Sequence, residues 1–442
     1  DAQESRGLGD VYKRQQHEGS ARPAAACGRD GVAMRVVISR CATGAGTTVS
    51  AQPDCHAYHG LVFSDPLTLI APSGGTVSVD TPVVLAPMAG VTNAAFRQLC
   101  AEQGAGLYVC EMITSRGLVY GDHKTHGMLA FAECEDVRSV QLYGVDPGMV
   151  GEATSILCEK YGVNHVDLNF GCPVPKVTRK GGGGVLPWKL DRFAAVVSAA
   201  VQAGDAHGVP VTVKTRIGID PEHITYIDSA RAAVDSGAAA VCLHARTVAE
   251  AYAGHSHWDA IGELVKTVDV PVIGNGDIWE ASDAMAMVGQ TGCAGVEVGR
   301  GCLGRPWLFR DLADAFAGRD TTTLPTLGEV CAMIRRHAEL LVKYQGMHGL
   351  VDMRKHMAWY LKGFPVGGET RHVLGQISSF DELDSLLATL DHDAPFPVKE
   401  LGKARGRQGA PRRKVVMPHG WLDTHTLDDD DLSAAEIDAS GG

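Results

Sequence analysis

The 442-residue sequence predicts an α/β fold, a closed (β/α)8 TIM barrel followed by a small all-helical C-terminal domain. Two observations carry this prediction. Short apolar, β-branched runs recur eight times between residues 83 and 299, and a stretch of helical spacing separates most neighbours. From about residue 326 the strand-like runs stop and only helical patterns follow. Near-continuous apolar strands that alternate with helices indicate a parallel sheet covered on both faces.

The eight predicted strands follow one another in chain order. They are VVLAPM (83–88), LYVCEM (107–112), SVQLYG (139–144), HVDLNF (165–170), PVTVKT (210–215), AAVCLHA (239–245), VPVIGN (270–275) and AGVEVG (294–299). Helical spacing fills the intervals, as in residues 192–204 and 225–237. Eight such units in a little over 200 residues fit a closed barrel. A doubly wound sheet, the alternative, needs a reversal of strand order and commonly has fewer strands.

The predicted domain boundaries follow from the same patterns. We place the barrel over 76–320 and the helical domain over 321–392, which contains EVCAMIRRHAELLVKY (329–344) and FDELDSLLATL (380–390). Residues 1–75 show no sustained period, and we expect a disordered leader or a gene-model artefact. Residues 393–442 are basic and then acidic, which predicts a charged flexible tail. An RNA-contacting extension is the less favoured interpretation.

Composition and charge narrow the class of protein. The formal net charge of −12 argues against a uniformly basic nucleic-acid binder, although a local basic patch remains compatible with it. No stretch reaches the roughly 18 unbroken apolar residues of a membrane span. The twelve cysteines are scattered without a C-x-x-C pair. We therefore expect free thiols in the cytoplasm, no metal site and no membrane association.

Polar residues and glycines collect at the carboxyl ends of the predicted strands, where active sites of this barrel lie. A single polar strand residue is usually a satisfied core group, but seven strands of eight end this way. GNGD (274–277) and GRGCLGRP (299–306) can bring backbone close to a phosphate, which favours a mononucleotide. Gln141 can donate and accept along a ring edge, and Lys214 can hold negative charge on a reduced ring.

Cys172 stands in HVDLNFGCPVPKVTRKGGGG (165–184), just after a strand end and close to Arg179 and Lys180. Free cysteine is among the most buried residue types, and the other cysteines fit that interpretation. A thiol exposed beside cations can act as a nucleophile or as a proton donor. The residues alone leave both roles open.

Nine short motifs in chain order carry a resemblance to a known family. The chain resembles the tRNA-dihydrouridine synthases, and within them the bacterial DusB-like group, over roughly residues 80–390. The motifs are APMAGVT (86–92), VQLYG (140–144), NFGCP (169–173), KVTRK (176–180), VKTRIG (213–218), LHART (243–247), GNGDI (274–278), VGRGCLGRPW (298–307) and RKHMAWYL (354–361).

The resemblance implies an FMN enzyme that uses NADPH to reduce uridines in the tRNA D-loop to 5,6-dihydrouridine. Cys172 would be the general acid that protonates C5 of the uracil after hydride reaches C6. Asn169 would hold the uracil edge, and Arg179 and Lys180 would position the base and its phosphates. The residues expected around FMN are Ala86, Pro87, Met88, Gln141, Lys214, His244, Asn275, Gly276, Asp277, Gly299 and Arg300.

Two further expectations follow from this assignment. The basic loop would close over a base that has left the folded tRNA, with Gly181–Gly184 as its hinge or simply as a tolerated flexible stretch. Cations of the helical domain would meet tRNA phosphates, namely Arg335, Arg336, Arg354, Lys355, His356 and Arg371. No protein partner is predicted.

Three alternatives remain at this stage. The first is an FMN-dependent reductase or dehydrogenase of a free pyrimidine, which would not need the helical domain. The second is a non-catalytic tRNA-binding protein that retains a flavin fold. The third is a barrel aldolase or isomerase with Lys214 as a Schiff-base lysine, which would leave Cys172 and the basic loop unexplained.

Overall fold

The computed structural model describes residues 65–104, 106–406 and 414–427. All of them belong to one unit of the chain, Pro53–Gly442. The predictions for residues 1–64, for 407–413 and for the acidic run that begins at Asp428 lie outside the described residues.

Eight parallel strands close into a barrel in which neighbours in the chain are neighbours in the sheet. The last strand pairs with the first, so the strand order never reverses and the doubly wound alternative is wrong. The first barrel strand ends at Leu85, two residues before Pro87. Proline has no backbone N–H and so cannot donate a hydrogen bond to a neighbouring strand. The barrel strands are β3 Val83–Leu85, β4 Leu107–Thr114, β5 Ser139–Tyr143, β6 His165–Phe170, β7 Val211–Arg216, β10 Ala240–His244, β11 Val272–Asn275 and β12 Gly295–Val298.

An antiparallel hairpin precedes the barrel, formed by β1 Leu67–Ile70 and β2 Thr76–Val79. Its alternate residues Leu67, Leu69, Val77 and Val79 are buried with Leu107, Val109 and Ile273 from the amino-terminal halves of barrel strands. The hairpin therefore covers the amino-terminal end of the barrel. The prediction of a disordered leader as far as residue 75 is wrong for residues 67–75, because a four-residue strand is too short to show a period.

Ten helices accompany the barrel strands within the described residues. Helix α6 shows why they form: its apolar residues Phe193, Val196, Val197, Ala200 and Val201 recur at helical spacing and are buried. The set is α1 Ala94–Ala101, α2 Ser115–Val119, α3 His123–Gly127, α4 Pro147–Tyr161, α5 Pro175–Thr178, α6 Leu190–Asp205, α7 Tyr226–Asp235, α8 Trp258–Val265, α9 Ala281–Thr291 and α10 Leu308–Phe316. A short antiparallel pair, β8 Gly218–Asp220 and β9 His223–Ile224, follows β7.

Four helices form the region after the barrel: α11 Leu327–Gln345, α12 His348–Tyr360, α13 Gly368–Leu374 and α14 Phe380–Ala388. A capping box between Thr326 and Glu329 starts α11. Their apolar core includes Ala95 and Leu99 of α1, so the helical region shares its core with the barrel. No described helix is both long and apolar enough to cross a bilayer.

Residues 414–427, here called the C-terminal strap, return to the barrel. Val415 and Trp421 are buried in the same core as β6 and α6. Upstream of the strap, buried Arg405 donates to the carbonyls of Leu303 and Trp359. The prediction of a charged flexible tail is therefore wrong for residues 393–406 and 414–427, because apolar residues scattered among the charges anchor them.

Candidate active site

A cavity of about 430 Å³ opens at the carboxyl ends of the barrel strands. Cys172 and Asn169 line it, together with every predicted cofactor residue except Gln141. Of the two predicted basic residues, Arg179 is exposed and Lys180 half-buried, and neither is among the residues that line the cavity. The predicted cofactor residues in the lining are Ala86, Pro87, Met88, Lys214, His244, Asn275, Gly276, Asp277, Gly299 and Arg300.

Lys214 is fixed at the cavity floor by an ion pair and a hydrogen bond. Its Nζ lies 2.5 Å from Oε2 of Glu297 and donates to Oδ1 of Asn275 at 3.1 Å. Nδ2 of Asn275 in turn donates to the carbonyl of Glu297 at 2.6 Å. Burial alone would lower the pKa of Lys214, but nearby negative charge, including Glu297, raises it above its ordinary value. The amine stays a cation, whereas a Schiff-base lysine needs a lowered pKa.

Gln141 lies beneath the cavity, within a hydrogen-bonded row that links β5 to β6. Its Nε2 donates to Oδ2 of Asp167 at 2.7 Å, and its Oε1 accepts from Nδ2 of Asn169 at 2.7 Å. Oδ1 of Asp167 accepts from the Thr212 hydroxyl at 2.7 Å. Burial raises the pKa of Asp167 to about 7. This row fixes which way the amide of Asn169 points.

The Cys172 turn is built on that amide. Oδ1 of Asn169 accepts from the N–H of Gly171 at 3.2 Å and from the N–H of Cys172 at 2.9 Å. The carbonyl of Gly171 accepts from Nε of the buried Arg216 at 2.7 Å. Cys172 is 8% exposed and borders the cavity. Its backbone is thus fixed to residues of two barrel strands at the edge of the cavity.

The loops after β10, β11 and β12 form a cationic end of the cavity. Arg246 donates to both carboxylate oxygens of Asp277 at 2.7 Å, and Arg300 lies 3.8 Å from the same carboxylate. The two guanidinium groups carry two positive charges, and the Asp277 carboxylate carries one negative charge. The resulting net positive charge can attract an anion. The pKa of His244 is well below its ordinary value because of burial and these neighbouring cations, so its imidazole is neutral.

Gly276 shows why glycine is needed in this loop. Its φ is +127°, and a β carbon there would lie 2.0 Å from the hydroxyl of Ser256. The next residue, Asp277, also has a positive φ of 57°. Only a residue without a side chain lets the backbone turn this tightly beside His244.

The four glycines after the basic pair are buried, and their role as a hinge stays a prediction. A β carbon at Gly181 would lie 2.4 Å from the Trp421 ring, and one at Gly184 would lie 2.4 Å from Val248. These glycines allow close packing of the loop in this structure. Lys180, together with Arg116 and Lys176, lines a second cavity of about 60 Å³ beside the same loop.

The cations expected to meet RNA from the helical region make intramolecular contacts. Arg335 pairs with Asp384 and Glu339, and Arg336 pairs with Glu102 of the barrel. Arg354 and Arg371 donate to backbone carbonyls, and Lys355 pairs with Asp352. His356 is fully buried, so its predicted contact with tRNA is wrong for this structure.

Sequence reasoning assigned no role to four residues that the structure places in the site. Arg216 and Arg246 were visible as charges at strand ends, but their carbonyl and carboxylate partners are distant in the chain. Asp167 and Glu297 each interrupt an apolar strand, at HVDLNF and AGVEVG. A charged residue inside a strand buried on both faces is the signal that identifies both.

Comparison with known proteins shows the family of the chain. The family model described as "Dihydrouridine synthase (Dus)" matches residues 84–395. A "Probable tRNA-dihydrouridine synthase" of Mycobacterium tuberculosis (strain CDC 1551 / Oshkosh) is 51% identical over 377 residues, which is 83% of this chain and 95% of that protein.

More distant relatives give the same picture. The Mycobacterium leprae (strain TN) protein of the same name is 49% identical over 390 residues, covering 81% of this chain and all of that protein. The "tRNA-dihydrouridine synthase B" of Pseudomonas aeruginosa is 35% identical over 308 residues, covering 70% of this chain and 92% of that protein. The chain therefore belongs to the dihydrouridine synthase family of flavin-dependent oxidoreductases.

Proposed function

We propose that this tRNA-dihydrouridine synthase reduces uridines of the tRNA D-loop in the cytoplasm, with FMN as its flavin, NADPH as electron donor and Cys172 as general acid. One observation carries the proposal. Cys172, Lys214 and Arg300, each from a different strand end, border the same cavity. A redox reaction on a flat ring needs all three: a proton donor, a cation at the reduced ring and an anchor for a phosphate.

The residues of the cavity fit FMN. Arg300 and the Gly276 and Gly299 backbones would hold the phosphate, because two guanidinium groups, Arg246 and Arg300, lie at the single carboxylate of Asp277 and give that end a net positive charge. Lys214 would lie against the ring edge that becomes negative, and neutral His244 would offer a hydrogen bond. A volume of about 430 Å³ is in the range of cofactor pockets. When bound, FMN supplies the hydride for C6 of the uracil.

Cys172 would transfer a proton from Sγ to C5 of the same ring. General acid catalysis requires a donor held within hydrogen-bond reach of the acceptor, and the Cys172 backbone is fixed by Asn169 and by Gly184. Asn169 has an amide edge at the cavity that suits the donor and acceptor groups of uracil.

Arg179 and Lys180 would act outside the cavity, at its rim. A uridine inside a folded tRNA cannot reach a strand end, so the base has to leave its stack. Cations at the rim would then contact the phosphates that flank the extruded nucleotide, an interaction that weakens with salt.

The test combines a spectrum with a reoxidation assay. The purified chain is expected to carry flavin absorbance, and NADPH is expected to bleach it. Transfer RNA that lacks dihydrouridine should then restore the oxidised spectrum, whereas free uracil should not. Reoxidation by free uracil or orotate without RNA would instead support the pyrimidine reductase alternative. A protein that binds no flavin would overturn the proposal altogether.

A further inference from the structure

The C-terminal strap, residues 414–427, lies beyond the part of the chain that matches the family model. It nevertheless packs on the loop that follows β6, residues 171–189, here called the Cys172 loop. Trp421 is 6% exposed, and its indole N–H donates to the carbonyl of Val185 at 3.0 Å. The edge of its ring occupies the space beside Gly181 that a side chain would need.

The end of the Cys172 loop is tied to the same strap. Buried Lys189 donates from Nζ to both the carbonyl and the hydroxyl of Thr424 at 2.7 Å. The same ammonium lies 5.2 Å from the centre of the Trp421 ring. The rings of His425 and Trp188 are 4.0 Å apart between centroids. The strap thus holds the loop at residues 181, 185, 188 and 189.

A short path leads from Trp421 to the thiol. Gly184, between the two points that Trp421 contacts, donates its N–H to the carbonyl of Cys172 at 3.1 Å. Gly183 is so close that a β carbon would lie 2.7 Å from this carbonyl and 3.1 Å from Cβ of Cys172. The carbonyl side of Cys172 is therefore set by the glycine run, just as its N–H side is set by Asn169.

We propose that Trp421 is a positioning residue, which holds the Gly181–Val185 backbone and through it fixes Cys172 and the Arg179–Lys180 pair. The catalytic part of this inference rests on the proposed function of Cys172. The strap does not line the cavity at the strand ends, as far as the described residues show. Its loss should therefore release the loop and leave the flavin pocket intact.

The experiment measures how fast Cys172 is alkylated in the full-length holoenzyme. Iodoacetamide is the probe, peptide mass spectrometry reports each site, and exposed Cys134 is the internal standard. In Trp421→Ala we expect alkylation of Cys172 to be roughly tenfold faster, because local opening controls the access of a reagent to a buried group. Alkylation of Cys134 and the flavin content per chain should not change.

Turnover gives a second readout. Trp421→Ala should reduce tRNA turnover by roughly 10- to 100-fold, since a misplaced reacting group costs about that much. Reduction of the flavin by NADPH should keep its rate. Val416→Ala is the matched control, because Val416 is exposed in the same strap and should change neither readout.

Milder variants keep the test decisive if Trp421→Ala does not fold. Trp421→Phe removes the hydrogen bond to Val185, and Lys189→Met removes the two bonds to Thr424. Each should accelerate alkylation of Cys172 to a smaller extent than Trp421→Ala. Unchanged alkylation in both would overturn the proposal. If the wild-type enzyme shows no activity on tRNA, the proposed function is contradicted. The comparison of alkylation rates between wild type and variants remains valid in that case.

Discussion

At the scale of single residues, the groups that we propose to react are distinct from the groups that hold them in place. Cys172 borders the cavity, and its backbone N–H and carbonyl are bound by Asn169 and Gly184. Lys214 is similarly held by Glu297 and Asn275 before any ligand binds. Groups fixed in advance need no reorganisation during the reaction, which is how preorganised sites lower barriers.

Replacement of the thiol is therefore expected to change chemistry without changing structure. Cys172→Ala should keep bound flavin and its reduction by NADPH, because the turn is held through the backbone. Formation of dihydrouridine should fall by roughly 10²- to 10⁴-fold, the usual contribution of a general acid. Mass spectrometry of digested tRNA measures the product, and Cys134→Ala is the matched control. Failure of flavin reduction in Cys172→Ala would show that the residue is structural.

Asp167 provides a prediction about pH. Burial raises its pKa to about 7 from the ordinary value of 3.8, so the folded protein holds a proton that the unfolded chain releases. The resulting stabilisation is complete below pH 3.8 and is lost as the pH rises to about 7. Asp167→Asn lacks this titration. The free energy of unfolding of wild type relative to this variant should therefore fall by roughly 3–4 kcal/mol across that range, at about 1.4 kcal/mol per pKa unit.

Urea unfolding between pH 4 and 8 measures this difference. Asp191→Asn is the control, because it removes an exposed carboxylate from the first turn of α6. A constant difference between wild type and Asp167→Asn at every pH would show that Asp167 is ionised throughout the range.

At the scale of elements, the loops after β11 and β12 are the segments that require glycine. Gly276→Ala would force a side chain into a left-handed backbone and against Ser256. Such strain costs roughly 1–3 kcal/mol. Because Asp277 follows directly and anchors Arg246, we expect the variant to lose much of its flavin as well.

Absorbance per chain after gel filtration measures the flavin that remains. Gly121→Ala is the matched control: its φ of +73° is also left-handed, but nothing lies within 4 Å of the added carbon. The control should lose stability and keep its flavin. Full flavin content in Gly276→Ala would mean that this loop does not hold the phosphate.

The elements also show which features a sequence can predict. The barrel strands and the glycine loops are encoded locally, as apolar runs and as motifs of a few residues, and both were predicted. The strap was not, because a single tryptophan in a charged stretch has no period and its partner Val185 lies 236 positions away. The hairpin before the barrel was missed for a related reason, since its strands have four residues each.

At the scale of the whole molecule, two histidines lie where the helical region meets the barrel. The rings of His337 and His356 are 4.5 Å apart, and both contact Phe96 of α1. Neither ring nitrogen of His356 has a hydrogen-bond partner among the described residues. Burial holds the pKa of His356 well below its ordinary value. The unfolded chain therefore binds a proton below about pH 6.5 that the folded protein excludes.

His356→Leu is expected to stabilise the protein. It removes buried polar atoms without a partner, which cost about 1–3 kcal/mol. The variant should also lose less stability than wild type as the pH falls from about 6.5 to 4, because one neutral buried imidazole is gone. Thermal unfolding at several pH values measures both effects, with exposed His348→Leu as the control. Equal acid sensitivity in wild type and His356→Leu would contradict the prediction.

The hairpin and the strap have a consequence for how the family domain is delimited. The stretch that matches the family model, 84–395, begins after the hairpin and ends before the strap. A chain trimmed to that stretch would expose apolar side chains such as Leu107 and Ile273 at one end of the barrel and Val185 beside the Cys172 loop. The stretch that matches the family model is therefore shorter than the packed unit, which includes described residues from Leu67 to Leu427.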